Sequence, residues 1–519
     1  MFYNFAALHM KAERYSLFLL AAFLLFAGGL FLRLNTLDER PVHADEATGA
    51  RILAERLEDG VYRFDPHHFH GPLLTAAAAP IARVRGETSW LELSAGTLRL
   101  GPALFGGLTV LLAAGFVRWT RLGALAAAGL IATSPLLVYY SRMFIHETLF
   151  GMLATASVLA LFFYLDKPGR LRALLAGLAA GLLMATRETF VICFFAWAVA
   201  AVLVWAEHKP WKDPAGTRAL LRNHSGNVLP AALAAAATVV VFYTNLGAHP
   251  AGMIDFFRTF LHYETGDGHD KPFGYYAWLL LWPKFQGGVW WTEAGVALAG
   301  LAGFVLSFRR SGGGWIRFLF YASIIQWLVY SFISYKTPWL IVTAWLHLCL
   351  VAGAAFAVCP RKHRFPTLAA AALVLVLLLG WQYRQTDRAI HRYASDTRNP
   401  YAYVPTATDV DRLERWLLEL AEEFPEIQTG PVAVIGPHYW PLPWYLRGLP
   451  AHGYWPEIPP DGQEFPVLLV MPGRFPEAED RLTTTHTSFL RGLRADTPVS
   501  LYLRNDLWEA YMAEPEEEL

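Results

Sequence analysis

Cysteine is scarce: the 519 residues contain three, Cys193, Cys349 and Cys359, each in or beside an apolar run. That excludes a disulfide framework and a cysteine-based metal site. Net charge is missing too, with 43 Lys and Arg against 43 Asp and Glu. No global field draws nucleic acid to such a chain. No small-residue cleavage site follows the first apolar run, which Lys11 and Arg14 precede, so that run reads as a retained helix and not a removed signal peptide. No internal repeat is evident. Few charges fall inside the apolar runs, which weighs against a transport path through them.

What the chain does have is apolar length. It is 55% hydrophobic, and a membrane span needs about 20 mostly apolar residues. Windows of that kind fall at 15–33, 94–116, 123–140, 148–165, 172–186, 189–206, 228–246, 290–307, 316–334, 338–358 and 366–382. The expected class is an α-helical polytopic membrane protein of about eleven transmembrane helices. Basic residues gather in alternate connections, among them Arg118 and Arg121, Lys167 and Arg170, Lys209 and Lys212, Arg309 and Arg310, and Arg361 and Lys362. By the positive-inside rule these connections and the N-terminus face the cytoplasm of a cell membrane. The C-terminus then lies outside.

Residues 1–383 form the expected membrane domain, with long outer loops at 34–93 and 247–289. The first loop carries candidate helices at Glu46–Leu57 and Gly71–Val84. Residues 384–519 turn polar and read as an extracytoplasmic α/β domain. Within it, Thr408–Phe424 predicts an amphipathic helix. Val432–Ile435 and Pro466–Val470 predict buried strands, and Leu490–Ala495 with Val499–Leu503 predicts a helix–strand pair.

Polar clusters concentrate on the outer side. The first loop gives His43, Asp45, Glu46, Asp65, His67, His68 and His70. Short turns give Arg142, His146 and Glu147, then Arg187 and Glu188, then Tyr335 and Lys336. The second loop gives Glu264, Asp267, His269, Asp270 and Lys271. Ionisable groups at a membrane edge pair, line a cavity or do chemistry. Gathered together, these groups suit transfer of a sugar from a polyprenyl phosphate. A carboxylate takes the acceptor proton, and cations stabilise the leaving phosphate. Asp45 is the candidate base, with Glu46 beside it and Glu147 in support. Arg142, Arg187, Lys336, His70 and Lys271 are candidates for the donor phosphate or its lipid. The expected partners are a polyprenyl-phosphate sugar donor, membrane lipid, and a glycan, lipid or protein acceptor.

His43-Ala44-Asp45-Glu46, and Ser134-Pro135 through Tyr140-Ser141-Arg142 to Glu147, resemble the two acidic motifs of the GT-C superfamily of integral-membrane glycosyltransferases, in its protein mannosyltransferase and aminoarabinose transferase branch. His70-Gly71-Pro72-Leu73-Leu74, Thr186-Arg187-Glu188, Lys271-Pro272-Phe273-Gly274-Tyr275-Tyr276, Lys336-Thr337-Pro338-Trp339-Leu340 and Trp440 through Arg447 resemble, in order, the prokaryotic flippase activity-associated subfamily. The resemblance implies inversion at the anomeric carbon. It also shows a departure: His70-Gly71-Pro72 stands where better-known relatives have Lys-Pro-Pro, and neutral His is a weaker phosphate partner than Lys.

Plainer roles stand beside these. Asp45-Glu46 suits a helix N-terminus, and Arg142 and Arg187 suit snorkelling or pairing with Glu147 and Glu188. Trp440, Trp444 and Tyr445 suit either sugar stacking at an acceptor site or the core of a small domain. His43, Asp65, His67 and His68 are the candidates for a divalent metal, although their spacing fits no standard template. The Gly177–Gly181 spacing points to helix packing. The alternative function is non-catalytic: a flippase-associated or lipid-handling membrane protein.

Overall fold

A computed structural model describes residues 2–67, 70–118, 120–262, 268–310, 312–357 and 364–513. His68, Glu264, Asp267 and Cys359 lie outside the described residues.

Each expected apolar window holds a helix. The bundle and its loops comprise α1 (Phe2–Leu34), α2 (Ala44–Asp59), α3 (Leu73–Val84), α4 (Ala95–Ala114), α5 (Arg121–Thr133), α6 (Pro135–Tyr140), α7 (His146–Asp166), α8 (Arg170–Met184) and α9 (Phe190–Glu207). They continue as α10 (Pro214–Tyr243), α11 (Gly252–His262), α12 (Tyr275–Leu280), α13 (Ala294–Ser307), α14 (Gly314–Phe332), α15 (Val342–Ala355) and α16 (Arg364–Ile390). Among the described residues, seven helices are long and apolar enough to cross a membrane, while α3, α5 and α13 are shorter apolar helices.

Local chemistry sets the boundaries. Ser94 and Thr120 cap α4 and α5 by accepting from the Thr97 and Gly123 amides. The window at 123–140 breaks in two because Pro135 cannot continue a helix but suits its first turn. Ser134 caps the second piece, and its hydroxyl donates to Glu293 at 2.7 Å. Within the bundle α15 is the hub, with every residue from Val342 to Ala354 buried. Helices α8 and α10 pack closely through Gly177 and Gly181: a Cβ on Gly177 would sit 2.1 Å from the Ala231 carbonyl oxygen. The small-residue spacing is thus a packing device, as expected.

The small C-terminal sheet domain follows α16, which runs on to Ile390 and past the boundary expected at 383. Helix α17 (Asp409–Glu423) buries Val410, Leu413, Leu417 and Leu420. A hairpin in the second long loop supplies β1 (Lys284–Gln286) and β2 (Val289–Trp291). The five-stranded sheet contains β3 (Val432–Ile435), β4 (His452–Trp455), β5 (Val467–Val470), β6 (His486–Arg494) and β7 (Thr497–Arg504), in the order β4-β3-β5-β7-β6. The first three neighbours are parallel, and β7 is antiparallel to both β5 and β6. This corrects one expectation: Leu490–Ala495 is not a helix but the end of β6, with Leu490 opposite Ser500. Six residues of mixed character carry too little periodicity to hold a helix against a free sheet edge.

The domain docks on the first long loop. The Val42 amide donates to the Tyr445 hydroxyl at 2.7 Å, and Thr406 donates to the Val42 carbonyl at 2.8 Å. Arg447 donates to the Leu93 carbonyl at 3.2 Å and lies 3.6 Å over the Trp444 ring.

Gly177→Val forces a branched side chain into the α8–α10 contact, and overpacking of this kind costs about 1–3 kcal/mol. Thermal unfolding of the detergent-solubilised protein is expected to fall accordingly. Gly380→Ala, with open space around the added carbon, is expected to leave the midpoint unchanged or raise it.

Candidate active site

The first acidic pair divides into two unlike halves because it opens a helix. His43 is the N-cap of α2, and its ring nitrogen accepts from the Asp45 amide at 3.1 Å. Glu46, at the third position, closes a capping box by accepting from the His43 amide at 3.0 Å. Its carboxylate is then filled: Arg99 donates from Nε at 2.8 Å and Nη2 at 2.9 Å, Arg40 at 3.3 Å, and the Phe144 amide at 3.0 Å. Arg99 spends its remaining donors on the carbonyls of Leu37, Arg40 and Pro41. Burial alone would raise the Glu46 carboxyl, but the Arg99 and Arg40 guanidiniums overcome it and hold the group well below the usual carboxylate range. Glu46 is therefore a tie between α2, α4 and the turn after α6, not a group open to an acceptor hydroxyl. Asp45, one residue earlier on the helix, keeps its side chain 51% exposed.

Around Asp45 stand residues from far along the chain. His43 Nε2 meets the Tyr403 carbonyl at 3.2 Å, and His269 Nδ1 meets the Tyr403 hydroxyl at 2.8 Å. Trp339 packs edge-on to both His43 and Tyr403. Lys271 places its ammonium 5.7 Å over the Tyr403 ring. Burial pushes the His269 imidazole below its ordinary value, and the nearby Asp45 carboxylate opposes that shift.

The second acidic position builds a chain of charges at the starts of α7 and α9. Arg187 donates to Glu147 through Nη1 and to Glu188 through Nε at 3.4 Å. His70 Nδ1 meets the other Glu188 oxygen at 3.0 Å, and the His70 and His146 rings stand edge to face at 5.1 Å. Burial would raise Glu188; His70 and then Arg187 overcome it and hold the carboxyl well below the usual range.

Beside this chain opens a cleft of about 320 Å³. Arg187, Glu188 and Tyr335 form its polar end, while Val191, Ile192, Phe260, Ile333 and Leu340 give it apolar walls.

The other sequence candidates lie elsewhere or are committed. Arg142 is turned away, donating to the carbonyls of Leu32, Arg33, Asn35 and Thr36. Lys336 is 1% exposed and donates to the carbonyls of Lys271 and Ile333. Trp444 and Tyr445 are buried in the joint between the C-terminal domain and the first loop, Trp444 edge-on to Trp90 at 5.6 Å, and Trp440 packs partly buried against the same core. His67 and Asp65 form a local turn. Among the described residues no three His, Cys, Asp or Glu side chains gather to hold a metal. Sequence reasoning missed Arg99 and Tyr403. Arg99 did leave a signal, a lone cation inside an apolar window; Tyr403 left none.

Glu46→Gln leaves Arg99 buried without its counter-charge, which costs about 3–5 kcal/mol, read as a lower unfolding midpoint. Acid has a related effect. Glu46 and Glu188 are both depressed in the folded state, so their stabilisation is present above the unfolded carboxyl value of about 4.3 and is lost as pH falls below it. Thermal midpoints measured against pH are expected to drop on that side, and less steeply in Glu46→Gln.

The family described as dolichyl-phosphate-mannose-protein mannosyltransferase matches residues 70–222, a minority of the chain. No curated protein sequence matches significantly. Among solved structures, ArnT from Cupriavidus metallidurans in the apo state superposes with a TM-score of 0.65 at 14% identity, covering 98% of this chain and 100% of that one. The same protein bound to undecaprenyl phosphate gives 0.61 at 13% identity, covering 97% and 99%. The arabinofuranosyltransferase AftD from Mycobacteria gives 0.49 at 14% identity, over 94% of this chain and 40% of that one. The family match and the end-to-end superposition on ArnT agree with the motif order: this chain has the membrane-embedded fold of the GT-C glycosyltransferase superfamily.

Proposed function

We propose that the protein transfers a sugar from a polyprenyl-phosphate donor to an acceptor hydroxyl on the outer face of the membrane. One observation carries this reading: an apolar cleft ends at Arg187 and Glu188, and the same Arg187 pairs with the buried Glu147. A lipid tail fits the walls, and a phosphate fits the polar end. The ArnT structure with undecaprenyl phosphate bound supports such a donor for this fold.

The reaction is a single displacement. Asp45 takes the proton of the acceptor hydroxyl as its oxygen bonds to the anomeric carbon. The bond from that carbon to the phosphate oxygen breaks, and polyprenyl phosphate leaves with the electron pair. Arg187 and Lys271 offset the charge that develops there. Glu147 holds Arg187 in place. His70, committed to Glu188, acts on the phosphate through Arg187 and not by direct contact.

A second reading, lipid handling without transfer, has one observation in its favour. His347 is fully buried in α15 with neither ring nitrogen paired, and it faces the unpaired indole of Trp197 at 6.3 Å. Polar groups of this kind line transport paths.

The purified Asp45→Asn variant, shown to be folded by an unchanged thermal midpoint, is expected to lose about 10²–10⁴-fold in transfer rate, measured as sugar moved from a polyprenyl-phosphate donor. A variant as fast as the parent removes Asp45 as the base. Movement of labelled polyprenyl phosphate across vesicles, with no transfer by the parent, decides for the second reading.

A further inference from the structure

The hairpin β1–β2 turns at Gly287 and Gly288, both at positive φ (61° and 74°), the backbone a two-residue hairpin demands and glycine accepts. Phe285 pairs with Trp290 and Lys284 with Trp291. Side chains alternate along such a ribbon. One face packs inward: Trp291 is fully buried, edge-on to Tyr393 and Tyr401. The other face is aromatic and bare, with Phe285 61% and Trp290 52% exposed and their rings 5.2 Å apart. The outer face of a ribbon in water is polar; this one is the reverse. Trp278 and Trp282, just before the hairpin, are exposed as well. Lys284 does not wet the patch. Its ammonium turns inward to the carbonyls of Trp278 and Leu279, each at 2.7 Å, and lies 4.4 Å from the Trp278 ring.

We propose that this aromatic face rests in the boundary between headgroups and acyl chains of the leaflet on the active-site side, and anchors the second long loop there. The occupant is lipid because the patch is continuous with the apolar flank of the bundle. Helix α13 starts three residues after β2 and exposes Leu298, Leu301 and Val305 along one stripe. Trp381 of α16, itself partly exposed, donates to the Thr292 carbonyl at 3.2 Å and joins the two surfaces. Indole and phenyl rings favour that boundary over either bulk phase. The anchor has a consequence for the site. His269 and Lys271 lie in the same loop, before α12, and are tied to the segment after α14 by amide bonds from Lys271 to Ser334 and from Lys336 to His269. Anchoring the hairpin steadies the loop that carries these two groups, which contact Tyr403.

The test places a spin label at Trp290→Cys in the full chain, with Cys193, Cys349 and Cys359 replaced, in phospholipid nanodiscs. A second label at Glu479→Cys, exposed in the C-terminal domain, is the control. Collision with oxygen relative to a water-soluble nickel chelate is expected to be higher at 290 than at 479. Equal ratios overturn the proposal, and so does a label at 290 shielded from both reagents, which means that protein covers the patch. Hydroxyl-radical footprinting of the unaltered chain in nanodiscs gives an independent reading should the cysteine-free background not fold. Trp282 and Trp290 are expected to oxidise less than Tyr454, which is only 37% exposed; oxidation in proportion to exposure overturns it. Neither measurement depends on whether the protein transfers sugar.

Discussion

A single buried ion pair, Glu46 with Arg99, sets the geometry around the start of α2. Both side chains are 1% exposed, and their pairing is completed by backbone groups on every side. Charges so placed are tolerated only when fully partnered. Here the partners belong to the start of α2, the loop before it, the interior of α4 and the turn after α6. The pair therefore fixes where α2 begins and how it is rotated. With Glu46 pointing in, its neighbour on the helix points out, and the Asp45 side chain is half exposed. Two adjacent carboxylates thus end in opposite settings, one buried and filled with donors and one exposed, and the division follows from helical spacing.

The second charged group works on a different principle. Arg187 lies between two carboxylates, and one of these is also held by His70. In a chain of this kind the two carboxylates more than offset the single guanidinium. The chain holds a guanidinium at the head of an apolar cleft without creating a strong isolated positive field there. His70 fits that scheme. It closes the chain through Glu188, a task a neutral or charged imidazole can share, whereas a lysine at the same place would add a full charge.

Much of this was legible in the sequence because the membrane is a demanding solvent. Apolar length announced the helices, and strands such as Val432–Ile435 appeared where expected. Asp45, Glu147, Arg187 and His70 were singled out because ionisable groups at membrane edges are costly, and the fold does bring them to one end. The rest was hidden for a physical reason. Arg142 and Lys336 carry the same charge as Arg187, but what an arginine or lysine does depends on which carbonyls the backbone turns toward it, and no local pattern records that. Tyr403 was out of reach because its place beside His43 depends on how the C-terminal domain docks, a contact more than 350 residues apart in sequence. The β6 error has the same origin: a sheet edge, not local preference, decided the conformation.

The docking of that last domain also orders events during synthesis. Tyr403 supplies both the carbonyl that meets His43 and the hydroxyl that meets His269, so the surroundings of Asp45 stay incomplete while the ribosome is still making the first four hundred residues. The membrane helices can insert and pack long before these contacts exist. A half-made chain in the bilayer therefore holds Asp45 in surroundings unlike those of the finished protein.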